Sequence, residues 1–296
     1  MFQMRGVIPP MLSPFQENGE VDYEGIKALV GFLRDRVDGL FITGSYGGGV
    51  LMTPDERMLV TETVIKAAGG KIPVIVQTGT ADSRSTAKLT AHAAAAGAAA
   101  VSAVGPYYYK HNEDEICAFY SSMVKAAGEE TPVYVYNNPG FQGYPMELKT
   151  IKKLKDTGVR GIKDATFDIM LHANYMRLLK DDNFDVVLGT EAMWLSACVL
   201  GCRAFIPGIA NAFPEICRKM YNEGIEGRYE DCRNTQFEVN EMRDIMYLAR
   251  STQLAIYAML EIRGIVKCSP RGPFIPATEG EKNAIRERLK ALGVTG

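Results

Sequence analysis

A lysine at the end of an apolar run, two tyrosine-bearing segments and a serine in a glycine-rich loop are the groups in this sequence whose types and spacing suit catalysis. Lys163 closes Gly161-Ile162-Lys163 and is followed by Asp164-Ala165-Thr166. A lysine withdrawn from water loses part of its preference for the charged form, and the neutral amine attacks a carbonyl to form a Schiff base. The competing reading is a strand-end lysine whose ammonium reaches back to solvent along its alkyl stem. Ser45 lies in Gly44-Ser45-Tyr46-Gly47-Gly48-Gly49, where glycines let backbone N–H groups approach an anion; the plainer alternative is a tight turn. The loop lacks Gly-Lys-Ser/Thr and the Gly-x-Gly-x-x-Gly spacing, so a small carboxylate suits it better than a nucleotide. Tyr107, Tyr108 and Tyr109 form a run, and Tyr136 opens Tyr-Asn-Asn-Pro-Gly. Tyrosines serve most often as core or interface aromatics, but a hydroxyl oriented by a neighbour such as Ser45 also passes protons to and from a carbonyl.

Composition narrows the chemistry. Only three histidines occur (His92, His111, His172), without His-x-x-x-His spacing, which speaks against a histidine-built metal site. The six cysteines (117, 198, 202, 217, 232, 268) form no Cys-x-x-Cys pair and read as reduced thiols. A formal net charge of −2 supplies no field for nucleic acid or an anionic membrane. With 47% hydrophobic and 23% charged residues, the chain has the balance of a globular protein with a sizeable core. The opening MFQMRGVIPP lacks a basic region followed by an apolar stretch, so the expectation is no signal peptide and a cytoplasmic location. The longest apolar tract, Ala93 to Tyr109, is mostly Ala and Gly with Ser102 and Pro106 inside it, and reads as a helix end running into a strand rather than a membrane span.

The elements that must position these groups recur regularly. Short β-branched runs bounded by Gly or Pro appear at Gly6–Met11, Gly39–Thr43, Ile72–Gln77, Ala99–Val104, Pro132–Tyr136, Val159–Lys163, Asp185–Gly189 and Cys202–Pro207. Helical patterns lie between them, several opened by a Ser, Thr, Asp or Asn cap. Eight strands alternating with helices predict a parallel sheet with right-handed crossovers, and the count favours closure into a (β/α)8 TIM barrel over an open doubly wound sheet. After about Asn222 the strand signal stops, and Arg228–Leu248, Thr252–Ile262 and Glu279–Leu292 read as helices. The expected organisation is a catalytic barrel over residues 1–224 and a C-terminal helical domain over 225–296. In such a barrel the chemistry sits at the carboxyl ends of the strands, where Ser45, Tyr107–Tyr109, Tyr136 and Lys163 all fall.

With these residues in place, the sequence resembles the pyruvate-dependent class I aldolases and lyases that include dihydrodipicolinate synthase and N-acetylneuraminate lyase. Gly39-Leu-Phe-Ile-Thr-Gly-Ser45-Tyr46-Gly47, with Glu56 further on, is similar to the family's first signature. Tyr136-Asn137-Asn138-Pro139 followed by Gly161-Ile162-Lys163-Asp164-Ala165 is similar to the second. Pro106-Tyr107-Tyr108 and Ala210-Asn211 fall in the family's order, so the likeness spans the chain. It implies that Lys163 is the Schiff-base lysine for pyruvate or another 2-oxo acid, that Tyr136 is the acid/base, that Ser45 relays the proton, and that Tyr108 completes the relay from a neighbouring subunit of a homotetramer built as a dimer of dimers. It also implies substrate contacts from Tyr46 and Gly47 in the first loop, Ile206 at the end of the eighth strand, Gly189 and Glu191 after the seventh, and Phe141. No cofactor or metal is implied; the partners are pyruvate and an aldehyde.

Three departures shape the expected substrate. Phe141 replaces the arginine that grips the aldehyde's carboxylate in dihydrodipicolinate synthases, and an uncharged aromatic does not substitute for a bidentate clamp. Gly48 stands where the first signature usually has a glutamate, and Tyr46 where its second small hydroxyl falls. Gln142 is expected to add a polar group to the pocket, and Glu191 to face a polyol chain. The leading expectation is an aldolase or dehydratase of a 2-oxo-3-deoxy sugar acid or related 4-hydroxy-2-oxo acid. The alternatives are 4-hydroxy-tetrahydrodipicolinate synthase or N-acetylneuraminate lyase activity and, from another class, a non-catalytic 2-oxo-acid-binding barrel.

Overall fold

Eight short strands form one sheet with every pairing between them parallel, in the order β1-β8-β7-β6-β5-β4-β3-β2. The computed structural model describes residues 2–294. The strands are β1 (Gly6–Val7), β2 (Leu40–Ile42), β3 (Val74–Gln77), β4 (Ala100–Val104), β5 (Val133–Asn137), β6 (Gly161–Asp164), β7 (Asp185–Leu188) and β8 (Ala204–Phe205). Each lies within or one residue beyond a run picked out by its β-branched composition. Beyond β1 the chain stays extended: Phe41 donates its N–H to the Pro9 carbonyl at 3.0 Å and its carbonyl accepts from Met11 at 2.9 Å, a parallel bridge at Pro10 that links the two outermost strands. The sheet therefore curls round on itself with helices between its strands, consistent with a (β/α)8 barrel.

The helices are α1 (Tyr23–Leu33), α2 (Pro54–Ala68), α3 (Ser83–Ala95), α4 (Glu113–Ala127), α5 (Pro139–Gln142), α6 (Leu148–Asp156), α7 (Ile169–Leu178), α8 (Trp194–Val199), α9 (Pro214–Ile225), α10 (Tyr229–Met246), α11 (Thr252–Ile262) and α12 (Glu279–Ala291). Local chemistry sets their starts. Thr53 and Glu56, Asn112 and Glu115, and Thr278 and Glu281 form reciprocal capping boxes at α2, α4 and α12. The one-turn α5 and the longer α9 were not expected: both open with Pro, α5 is too short for an apolar period, and α9 buries Pro214, Cys217 and Met220 along a face whose polar neighbours mask it in the sequence.

Two apolar clusters follow from strand alternation. One lies inside the curled sheet and includes Met4, Ile8, Phe41, Ile75, Tyr134, Tyr136, Val187 and Ile206; the other fills the space between strands and helices. Gly161 serves the inner cluster, since a Cβ there would lie 2.3 Å from the Tyr134 ring on the neighbouring strand. The segment after α9 is tied down over the sheet. Tyr257 on α11 donates to the Ser13 carbonyl at 2.7 Å, and Arg271 makes a two-pronged ion pair with Glu56 at 2.6 and 2.7 Å while lying 4.7 Å over the Phe15 ring. Among the described residues no helix is long and apolar enough to cross a membrane.

Candidate active site

The register of β5 and β6 sets Tyr136 directly opposite Lys163, and alternation along the two neighbouring strands turns both side chains inward. Lys163 is 3% exposed, with Nζ 3.6 Å from the centre of the Tyr136 ring and 4.1 Å from that of Phe41. The lysine at this strand end thus stays inside, and burial lowers the pKa of its ammonium. Burial pushes the Tyr136 phenol the other way, but the Lys163 charge and hydrogen bonds with Ser45, Asn138 and Lys163 itself outweigh it and leave the phenol below its ordinary value. The two groups compete for one proton, which is what a lysine nucleophile with a tyrosine acid/base requires.

The Tyr136 hydroxyl lies 3.5 Å from Ser45 Oγ, long for an O–H···O bond and of the kind that tightens when a substrate is present. The Ser45 loop is held in an unusual shape. Thr43 sits at φ +53° with its hydroxyl donating to the Gln77 carbonyl at 2.8 Å, and a Cβ at Gly49 would fall 1.9 Å from the Thr43 oxygen, so only glycine fits. Among the described residues the backbone N–H groups of Ser45 and Tyr46 donate to no protein group, which leaves them available to a carboxylate. Gly47 takes a packing place, its Cα side against the Met11 carbonyl and Thr43, rather than a place on the cavity wall.

A cavity of about 320 Å³ opens above Lys163 and Tyr136, walled by Tyr46, Phe141, Gly189, Glu191 and Ile206 among others. Tyr108 is not part of it: the residue is 85% exposed at φ +80°, its ring edge-on to Tyr109 at 4.9 Å. Two larger grooves, of about 500 and 650 Å³, lie between the Phe15–Glu17 segment and α11–α12 and between α1 and α2, away from the lysine.

One expected role is corrected, and two residues are placed more closely. Gln142 does not face the pocket. It is 1% exposed and spends its amide on the Asn137 side chain at 3.0 Å and the Tyr144 carbonyl at 2.7 Å, fixing the turn after β5. Glu191 lines the cavity, yet both its oxygens are engaged, one by the Gly208 N–H at 2.8 Å and the other by Arg243. Tyr46 is accommodated because residue 208 is glycine: a Cβ there would lie 2.5 Å from the Tyr46 hydroxyl, which donates to Thr252 Oγ1 at 3.0 Å.

Arg243 is the functional candidate that sequence reasoning missed. It projects from α10 onto the cavity wall, 5.7 Å from the centre of the Phe167 ring, and Phe167 is itself held at φ +59°. Burial disfavours its charge, but the Glu191 carboxylate overcomes this and raises its pKa. In Glu241-Met-Arg243-Asp244 it reads as one charge on a solvated helix face, and no spacing links it to Glu191 52 residues away. A second hidden pair lies behind the site. Asp164, whose side chain alternates outward next to Lys163, bonds to His172 Nδ1 at 2.9 Å with both residues buried. Burial opposes protonation of His172, but the Asp164 carboxylate, together with Cys202, prevails and its pKa rises to about 9. Among the described residues no group of three or more His, Cys, Asp or Glu side chains is placed to hold a metal ion.

An inward lysine paired with a tyrosine at the carboxyl end of a curled parallel sheet defines an enzyme of the aldolase type, a lyase. The chain belongs to the dihydrodipicolinate synthetase family, whose sequence model matches residues 3–292. Among curated relatives it is 28% identical to 4-hydroxy-tetrahydrodipicolinate synthase of Methanopyrus kandleri, covering 99% of this chain and 98% of that one. It is 29% identical to the protein of the same name from Methanospirillum hungatei, over 96% and 98%. Among solved structures, YagE of E. coli K12 in complex with pyruvate superposes with a TM-score of 0.93 at 24% identity, over 99% of this chain and 100% of that one. A Ruminococcus gnavus sialic acid aldolase catalytic lysine mutant superposes at 0.92 and 23%, over 98% and 95%. At these identities the superpositions establish the fold alone.

Proposed function

We propose that this protein is a Schiff-base-forming, pyruvate-dependent aldolase that cleaves or dehydrates a 2-oxo-3-deoxy sugar acid or a related 4-hydroxy-2-oxo acid. The carrying observation is the buried Lys163 amine 3.6 Å from the Tyr136 ring on the paired strand. Lys163 attacks the carbonyl carbon at C2 and water leaves, giving an imine; its protonated form is an electron sink. Ser45 and Tyr46 N–H groups hold the carboxylate, and Ile206 packs against the pyruvate unit. Tyr136, oriented by Ser45, returns the proton to the leaving hydroxyl and later takes one from the 4-hydroxyl as the C–C bond breaks; in synthesis the enamine adds to an aldehyde by the same path reversed. We read the sheet as a closed barrel over residues 1–224 followed by a helical domain over 225–296. We further propose a homotetramer in which the exposed Tyr108 reaches a neighbour's relay.

The names of the curated relatives favour a second reading, 4-hydroxy-tetrahydrodipicolinate synthase activity. Phe141 on the cavity wall leaves this reading without an arginine clamp at that position, so it needs another cation to bind the semialdehyde. A coupled assay with pyruvate and aspartate semialdehyde separates the two, and pyruvate release from N-acetylneuraminate tests the sialic acid branch. Trapping with pyruvate and borohydride tests the core reading. The expected result is a mass increase located at Lys163 and abolished in Lys163→Ala; an unmodified wild-type mass would leave only a non-catalytic binding barrel.

A further inference from the structure

The charge that Phe141 removes from one wall of the cavity reappears on another. Arg243 is 14% exposed at its side chain, and Nη1 is committed to Glu191 and lies 3.4 Å from Thr190 Oγ1. Among the described residues Nε and Nη2 make no hydrogen bond to protein, so the guanidinium keeps N–H donors for a ligand in the cavity it lines. Phe167 at 5.7 Å and the Glu191 ion pair hold it in place, and Glu191 is in turn held by the Gly208 N–H. Among the described residues Glu191 is the only carboxylate on this wall, and each of its oxygens already accepts one bond, from Gly208 and from Arg243. A carboxylate needs donors alone, and a guanidinium edge whose Nε and Nη2 are free matches it with two parallel bonds.

We propose that Arg243 is a specificity-determining residue that grips a carboxylate at the far end of the 2-oxo acid bound through Lys163. The aldehyde released or consumed then carries its own carboxylate, which selects the 4-hydroxy-2-oxo acid branch of the proposed function over the sugar-acid branch: the preferred substrates are 4-hydroxy-2-oxo diacids rather than acids with a neutral polyhydroxy tail. This rests on the Schiff-base reading, and the test keeps the two apart.

The probes are pyruvate, 2-oxoglutarate and 2-oxopentanoate, the last two equal in carbon number and differing in the terminal carboxylate. Each condenses with the Lys163 amine with loss of water, and borohydride supplies hydride to reduce the imine carbon, leaving a secondary amine counted by mass. In the wild type the half-saturating concentration for adduct formation is expected to be about 10- to 100-fold lower for 2-oxoglutarate than for 2-oxopentanoate. Arg243→Gln should abolish this preference mainly by weakening 2-oxoglutarate, and Arg243→Lys should retain only part of it because a point charge lacks the fork. If Arg243→Gln leaves Glu191 unpaired and fails to fold, the Glu191→Gln/Arg243→Gln pair removes both charges together. Equal half-saturation by the two five-carbon acids in the wild type, or a preference that survives Arg243→Gln, overturns the assignment. Absence of any adduct, pyruvate included, overturns the Schiff-base reading itself.

Discussion

Lys163 and Tyr136, the pair proposed to react, are tuned by their surroundings. Burial makes the amine easier to deprotonate, and the nearby ammonium makes the phenol easier to deprotonate, so either group can carry the proton the other gives up. Tyr136→Phe keeps the ring beside the lysine and removes only the proton carrier. It should slow turnover by about 10²- to 10⁴-fold in steady-state kinetics, and full activity would contradict the acid/base assignment. His172 is a positioning residue by contrast, since it touches Asp164 and not the cavity. Its raised pKa means that protonation favours the folded state: the contribution is complete below about pH 6.5, the ordinary histidine value, and is lost as pH rises through about 9. His172→Gln leaves a buried carboxylate without its cation and is expected to cost roughly 3–5 kcal/mol, read as a lower urea midpoint whose pH dependence above 6.5 is flatter than the wild type's.

At the scale of elements, the chain after β8 does more than cover the sheet. Helix α10 brings Arg243 to the cavity, α11 brings Thr252 to Tyr46, and the segment before α12 brings Arg271 to Glu56. Arg271 also donates to the Gly19 and Leu51 carbonyls at 2.7 and 3.1 Å, so one side chain joins three loops. Its hydrogen bonds, against the opposing effect of burial, hold the Glu56 carboxyl down to about 2. A depressed carboxylate pKa stabilises the fold above the ordinary value of about 4.5, and the contribution fades as pH falls through about 2. Arg271→Ala should lower stability by about 2–3 kcal/mol at neutral pH, with a smaller deficit at pH 3, in denaturant titrations at the two pH values. A loss that does not change with pH would mean that packing on Phe15, rather than the ion pair, holds the segment.

At the scale of the whole molecule, the exposed aromatic and apolar residues bear on how many chains make one site. Tyr108 and Tyr109 project from the loop between β4 and α4, 85% and 67% exposed, and Met170, Val199 and Leu200 form further exposed apolar positions on or beside the adjacent helices α7 and α8. Such residues suit contacts with further copies of the chain. If Tyr108 acts across an interface, Lys163→Ala and Tyr108→Ala should each be nearly inactive alone. Mixed and reassembled, they should recover part of the activity, because some sites then draw an intact lysine from one chain and an intact tyrosine from its neighbour. No recovery, in mixtures whose hetero-oligomers are verified by native mass spectrometry, would place the relay within one chain.

Eight β-branched runs with helices between them were legible along the sequence because strand composition and helix caps are local properties, and the lysine and tyrosine were legible because they end such runs. The likeness to a known family implied roles for Ser45 and Tyr108 that no local pattern carries. Tertiary structure alone decided the rest. Gln142 turned inward to its own loop, Glu191 was taken up by Arg243, and Tyr46 settled over Gly208 toward Thr252. Each outcome depends on which distant segment arrives beside a side chain, and a buried polar group bonds to whatever arrives. The order of residues along the chain records no such neighbour, which is why the strand-end lysine and tyrosine were readable in advance and the cavity wall around them was not.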